Sequence, residues 1–143
     1  MDIKSESKIQ QFLDDIHGNT YSLCVRNESG VIFQSSRPRL KPLVECLTLH
    51  LAEMEGALAI DRVVGRAAAQ LFVLAGIRRV VTPVTSKAAK EMLEKNNIAF
   101  YSERVVDAIL NREKNGLCPM EQLSYEYADP VKFYEKLKEL MEL

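Results

Sequence analysis

A chain of 143 residues with a net charge of −1, from 19 basic and 20 acidic side chains, suits one domain and lacks the positive excess with which nucleic-acid binders displace counterions. No apolar run reaches the length of a membrane span, and residues 1–11 lack the charged-then-apolar pattern of a secretion leader, so the expectation is a cytoplasmic protein that binds neither membrane nor nucleic acid. The three cysteines, Cys24, Cys46 and Cys118, are odd in number and widely spaced, which argues against a disulfide framework or a zinc knuckle and predicts reduced thiols.

In chain order, Ile9, Phe12, Leu13 and Ile16 mark the apolar stripe of a helix over 5–17, closed by Gly18. Residues 20–27 alternate, with Tyr21, Leu23 and Val25 on one face, and Glu28-Ser29-Gly30 turns the chain into 31–34, giving a β-hairpin. After a loop with Pro38 and Pro42, the residues Leu43, Val44, Leu47, Leu51 and Met54 keep helical period over 41–54.

The most apolar stretch follows. Residues 57–60 read as a buried strand, Asp61 as the N-cap of a helix over 62–75, and Gly76 as its left-handed C-cap. Residues 77–82 form the next strand, Ser86 caps a helix with Ala88, Ala89, Met92 and Leu93 inward, and Asn96-Asn97 ends it. A strand over 98–101 and a helix carrying Val105, Val106, Ile109 and Leu110 come next. Pro119 and Pro130 then open two further helices, the second capped by Asp129 with Phe133, Tyr134, Leu137, Leu140 and Met141 inward. Strands separated by helices predict an α/β three-layer α-β-α sandwich: about five mostly parallel strands, an N-terminal β-hairpin and a C-terminal helical tail, with one domain over 1–143 divided into a core at 1–128 and a last helix at 129–143.

Such a sheet presents the carboxyl ends of its strands and the helix starts that follow them to one crevice. Asp61, Gly65 and Arg66 are expected there: free N–H groups and a guanidinium suit a phosphate or carboxylate, and Gly65 lets it near the backbone. The same three residues also suit a purely structural reading as cap, close-packing point and solvated side chain. Lys41 could add positive charge from the other helix start, and Glu121 stands one turn beyond Cys118. Cys118 at a helix start is a candidate nucleophile and equally a packing residue, whereas Cys24 and Cys46 read as packing.

The strings DRVVGRAAA at 61–69 and CPME at 118–121, within this order of elements, resemble domain-of-unknown-function family 1893, an uncharacterised prokaryotic family with a cytidine-deaminase-like fold. The resemblance implies architecture and carries over no catalytic residue. Deaminases hold zinc with His or Cys beside a proton-shuttling Glu at one helix start and with PCxxC at the next. Here those starts fall near 39–43 and 61–69, which contain no His, Cys or Glu, so no metal and no cofactor is expected. Three functions remain in order: a binding module for a small anionic or nucleotide-like ligand between the Asp61 helix start and the CPME loop, a group-transfer enzyme using Cys118, and a homodimeric interaction protein.

Overall fold

A computed structural model describes residues 6–143. The opening helix α1 (Glu6–His17) is followed by the hairpin β1 (Leu23–Asn27) and β2 (Gly30–Ser35), then α2 (Lys41–Met54). The centre of the chain runs β3 (Leu58–Asp61), β4 (Val63–Val64), α3 (Arg66–Ala75), β5 (Arg79–Ser86), α4 (Lys87–Lys95) and β6 (Ala99–Val106), and α5 (Pro119–Glu126) and α6 (Pro130–Met141) close it. Ser5, the expected first residue of the opening helix, lies outside the described residues.

The mixed sheet has β2 and β1 antiparallel to each other, β1 antiparallel to β3, and β5 parallel to β3, β4 and β6. Leu58 pairs with Arg79 and Val63 with Val84, the same register on either side of Arg62, so β3 and β4 are one strand interrupted once. The interruption has two causes. The Arg62 N–H donates to the Ser22 carbonyl at 3.1 Å and its guanidinium to Asn19 Oδ1 at 3.0 Å, while Pro83, level with the break, has no N–H to offer.

Period-two alternation sends side chains to two cores. Leu23, Val25, Ala59 and Val80 face α2, α3 and α4 together with Phe133 and Leu137 of α6, whereas Cys24, Leu58, Ile60 and Val81 face Phe12, Leu13 and Ile16 of α1. Because β3, β5 and β6 step in one direction across the sheet, crossovers of constant hand put α3 and α4 on the same face, leaving the other to α1. Helix α3 is central: it packs against α2, α4, α5 and α6. Its Leu71 and Phe72 are fully buried, worth roughly 2–3 kcal/mol each.

Several expectations are corrected. The helix expected over 62–75 begins at Arg66, because Val63 and Val64 are β-branched and continue the strand; its N-cap is Gly65, and Asp61 instead ends β3. Gly76 caps it as expected, at φ 73°, with its N–H directed to Phe72 and Val73 carbonyls. No helix forms at Val105, Val106, Ile109 and Leu110: the two valines finish β6, and Leu110 bridges Leu117 across a tight loop. Tyr21 packs on the face opposite Leu23 and Val25, and Leu51 and Leu140 are exposed rather than inward.

Candidate functional site

Helix α3 begins with N–H groups that have no partner within the helix, and Gly65 offers no side chain to cap them. The cap comes from far along the chain. Glu121, 5% exposed, accepts the Arg66 N–H on Oε1 at 2.8 Å and the Ala67 N–H on Oε2 at 2.6 Å. The carboxylate thus meets the positive end of the helix dipole with both oxygens engaged. Gly65 makes room for it: a Cβ there would stand 1.9 Å from Glu121 Oε1 and 2.9 Å from Ile109 Cγ1. At φ −97° and ψ −176° the residue is ordinary extended backbone, so position 65 is set by space alone. Burial pushes the Glu121 carboxyl above its usual range, against the two N–H groups and the Arg66 charge, which favour the ionised form.

The local chain holds Glu121 in place. Pro119 sits in the first turn of α5, the Cys118 N–H donates to the Ile109 carbonyl at 3.0 Å, and Gln122 Nε2 donates to the Leu117 carbonyl at 2.9 Å. Ile109 therefore touches both Gly65 and the Cys118 backbone. The Arg66 guanidinium lies over the Tyr125 ring, 4.4 Å from its centre, and buried Gln70 donates to the Tyr127 carbonyl. Gly65 and Arg66, expected at the crevice with Asp61, lie against Glu121 of the CPME loop, and the seat read for an outside anion holds the chain's own carboxylate.

The other expected residues lie apart from that seat or beside it. The backbone N–H groups of Arg62 and Val63 favour the ionised Asp61 carboxyl, but burial outweighs them and pushes it up to about 7. Lys41 opens α2, and no hydrogen bond or ion pair among the described residues joins it to the α3 start. Cys118 is the half-buried N-cap of α5, next to the seat, while Cys24 and Cys46 are buried and their thiols are pushed up to about 11 and about 12.

A separate feature escapes sequence reasoning. At the opposite ends of the parallel strands, an open hollow of about 400 Å³ is lined by the hairpin turn, the α2–β3 turn and Arg26, Arg78 and Arg79. Arg26 pairs with Leu58, and Leu58 with Arg79, so the two arginines flank one leucine on the α1 face of the sheet. Two strand spacings separate them, about 10 Å, close enough for both long side chains to converge. Arg26 lies over the Phe12 ring at 5.3 Å, and its buried Nε has no hydrogen-bond partner among the described residues. Glu28 and Glu55 also line the hollow and moderate its charge. The available signal was an arginine one residue before the end of β1 and another at the first position of β5.

The family model described as Domain of unknown function (DUF1893) matches residues 11–141. The chain belongs to this family. A crystal structure of a DUF1893 family protein from Thermotoga maritima is similar to it, with a TM-score of 0.80 and 25% identity, covering 97% of this chain and 92% of that one. No curated protein matches the sequence. The family match covers both strings that carried the resemblance, at 61–69 and 118–121. In this DUF1893 chain both imidazoles are engaged away from the α3 start, His17 with Glu103 at 2.6 Å and His50 with Glu53 at 3.1 Å. Among the described residues no three His, Cys, Asp or Glu side chains group as metal ligands.

Proposed function

We propose that this DUF1893 chain is a binding module for a small anionic or nucleotide-like molecule, built on a cytidine-deaminase-like framework and held by Arg26 and Arg79 in the arginine-lined hollow. The framework is supported by the β3–α3–β5–α4–β6 succession with the antiparallel hairpin beside it. The donor set does not fit the zinc of the deaminases: the starts of α2 and α3 carry Leu40, Lys41 and Pro42, and Gly65, Arg66 and Ala67, and the nearby Glu121 has both oxygens committed to N–H groups.

The observation that carries the reading is the row Arg26–Leu58–Arg79. Two arginines on one face of the sheet, neither in an ion pair among the described residues, are donors that suit an oxyanion. The hollow's volume falls within the range of small-molecule sites, roughly 300–1,000 Å³. A ligand present at about one hundred times its Kd adds about 2.7 kcal/mol to stability. Thermal-shift titration with inorganic phosphate, AMP and ADP measures this; the expected result is a rise in Tm that disappears in Arg26→Gln/Arg79→Gln. No rise with any of the three, or a rise unchanged in that variant, refutes the reading.

A second reading keeps the ligand at the α3 start with Cys118 nearby, favoured by the fact that this seat already holds a carboxylate. It requires the incoming anion to displace Glu121. Glu121→Ala distinguishes the two, since it strengthens anion binding at the α3 start and leaves binding in the hollow unchanged.

A further inference from the structure

The sheet has two edges, and they differ. At one end β2 spans six residues and lies against a register irregularity in β1 at Val25 and Arg26. At the other end β6 spans eight residues, contains no proline, and pairs with β5 from Ala99 to Val106 without a register shift. A long regular edge of this kind is a template for another strand, and proteins that leave edges unpartnered usually shorten, bulge, interrupt or charge them; β6 has only the charges of Glu103 and Arg104, which are of opposite sign. Tyr101 and Val105 are also exposed there, at 45% and 43%.

Backbone direction shows what the edge offers. The Ala99 N–H donates to the carbonyl of Arg78, the residue before β5, so with alternating direction the N–H and C=O groups of Phe100, Ser102 and Arg104 point away from β5. Ser102 Oγ donates to the Arg104 carbonyl at 2.7 Å, which leaves that oxygen one lone pair. We infer that β6 is a self-association surface on which a second copy of this chain adds its own β6 antiparallel, with Ser102 facing the second copy's Ser102 on the two-fold axis.

Charge and length select this register. It places Tyr101 opposite the second copy's Glu103, Phe100 opposite its Arg104 and Ala99 opposite its Val105, so that no like charges meet and an arginine faces an aromatic ring. Centring on Glu103 would set two carboxylates face to face. Centring on Tyr101 would put Ala99 against Glu103 and leave Arg104 and Val105 without partners. In the chosen register Phe100, Ser102 and Arg104 all fall in hydrogen-bonded pairs, matching their outward direction. An edge-to-edge contact is small, so association is weak and concentration-dependent.

The test uses the full chain. Light scattering between about 10 µM and about 1 mM should show the mass rise from 16.2 kDa toward twice that value. Ser102→Pro removes an N–H that β5 does not use, so this variant should stay monomeric with its Tm retained. Amide exchange of the unaltered chain gives a readout independent of the variant's folding: Phe100, Ser102 and Arg104 should exchange roughly tenfold slower at the high concentration, with Tyr101 and Glu103 unchanged. A chain that remains monomeric at the high concentration overturns the proposal. So does a dimer in which those three amides are not slowed.

Discussion

Adding one methyl group at position 65 interrogates the junction between α3 and α5. The backbone at Gly65 accepts alanine without strain, since φ is −97°. The new Cβ would stand 1.9 Å from Glu121 Oε1 and 2.6 Å from its Cδ, so the carboxylate must leave the helix start. Two hydrogen bonds to a charged acceptor are then lost, at roughly 1.5–3 kcal/mol each, and part of that is recovered when the carboxylate returns to water. Alanine also narrows the unfolded ensemble, offsetting about 0.4–1 kcal/mol. The net expectation for Gly65→Ala is a loss of about 3 kcal/mol, measured by urea unfolding with the slope unchanged. Coupling sharpens the test: in a Glu121→Ala background the clash with the carboxylate is gone and only the Ile109 Cγ1 contact at 2.9 Å remains, so the same methyl should cost at least about 1 kcal/mol less than in the original chain. If Gly65→Ala is as stable as the original chain, or costs the same in both backgrounds, the steric argument fails.

Of the three cysteines, only half-buried Cys118 should be alkylated in the folded chain at pH 8, with Cys24 and Cys46 labelling only after unfolding; mass spectrometry of labelled peptides reads this directly. Asp61 has its folded pKa raised to about 7 by burial, so its contribution to stability is complete below about pH 4 and is lost as pH rises through 7; Asp61→Asn should flatten the pH dependence of urea unfolding across that window. Ala68, 4% exposed on the packed side of α3, should not accept a charge: Ala68→Arg is expected to cost more than about 4 kcal/mol or prevent folding, and a retained melting temperature would show the inward face to be misassigned.

The α2 period, the Gly76 cap and the Ser86 and Asp129 caps were legible because each depends on neighbours within four residues, such as Ser86 Oγ receiving the Ala89 N–H at 3.1 Å, and the hairpin because its turn at Glu28-Ser29-Gly30 is equally local. What misled was ambiguity of period. Val63 and Val64 suit a strand as well as a helix, and so do Val105 and Val106; in both places the parallel pairing with β5 decided for the strand. The strand expected over 77–82 instead runs from Arg79 to Ser86, passing through Pro83 because the neighbouring strand breaks at the same level. Of the site, the sequence placed Gly65 and Arg66 at the crevice, but their relation to Glu121 depends on a contact spanning 55 positions, for which local pattern carries no signal. The arginine row was hidden for the same reason: only strand register shows that Arg26 and Arg79 share a leucine between them.

A helix whose first turn is completed by a residue 55 positions downstream cannot finish forming as it is made. While the chain leaves the ribosome, α3 emerges with its leading amides open to water, and they are satisfied only once α5 has been synthesised and docks. The central helix is therefore capped only after α5 exists, which ties the middle of the molecule to a residue near its end.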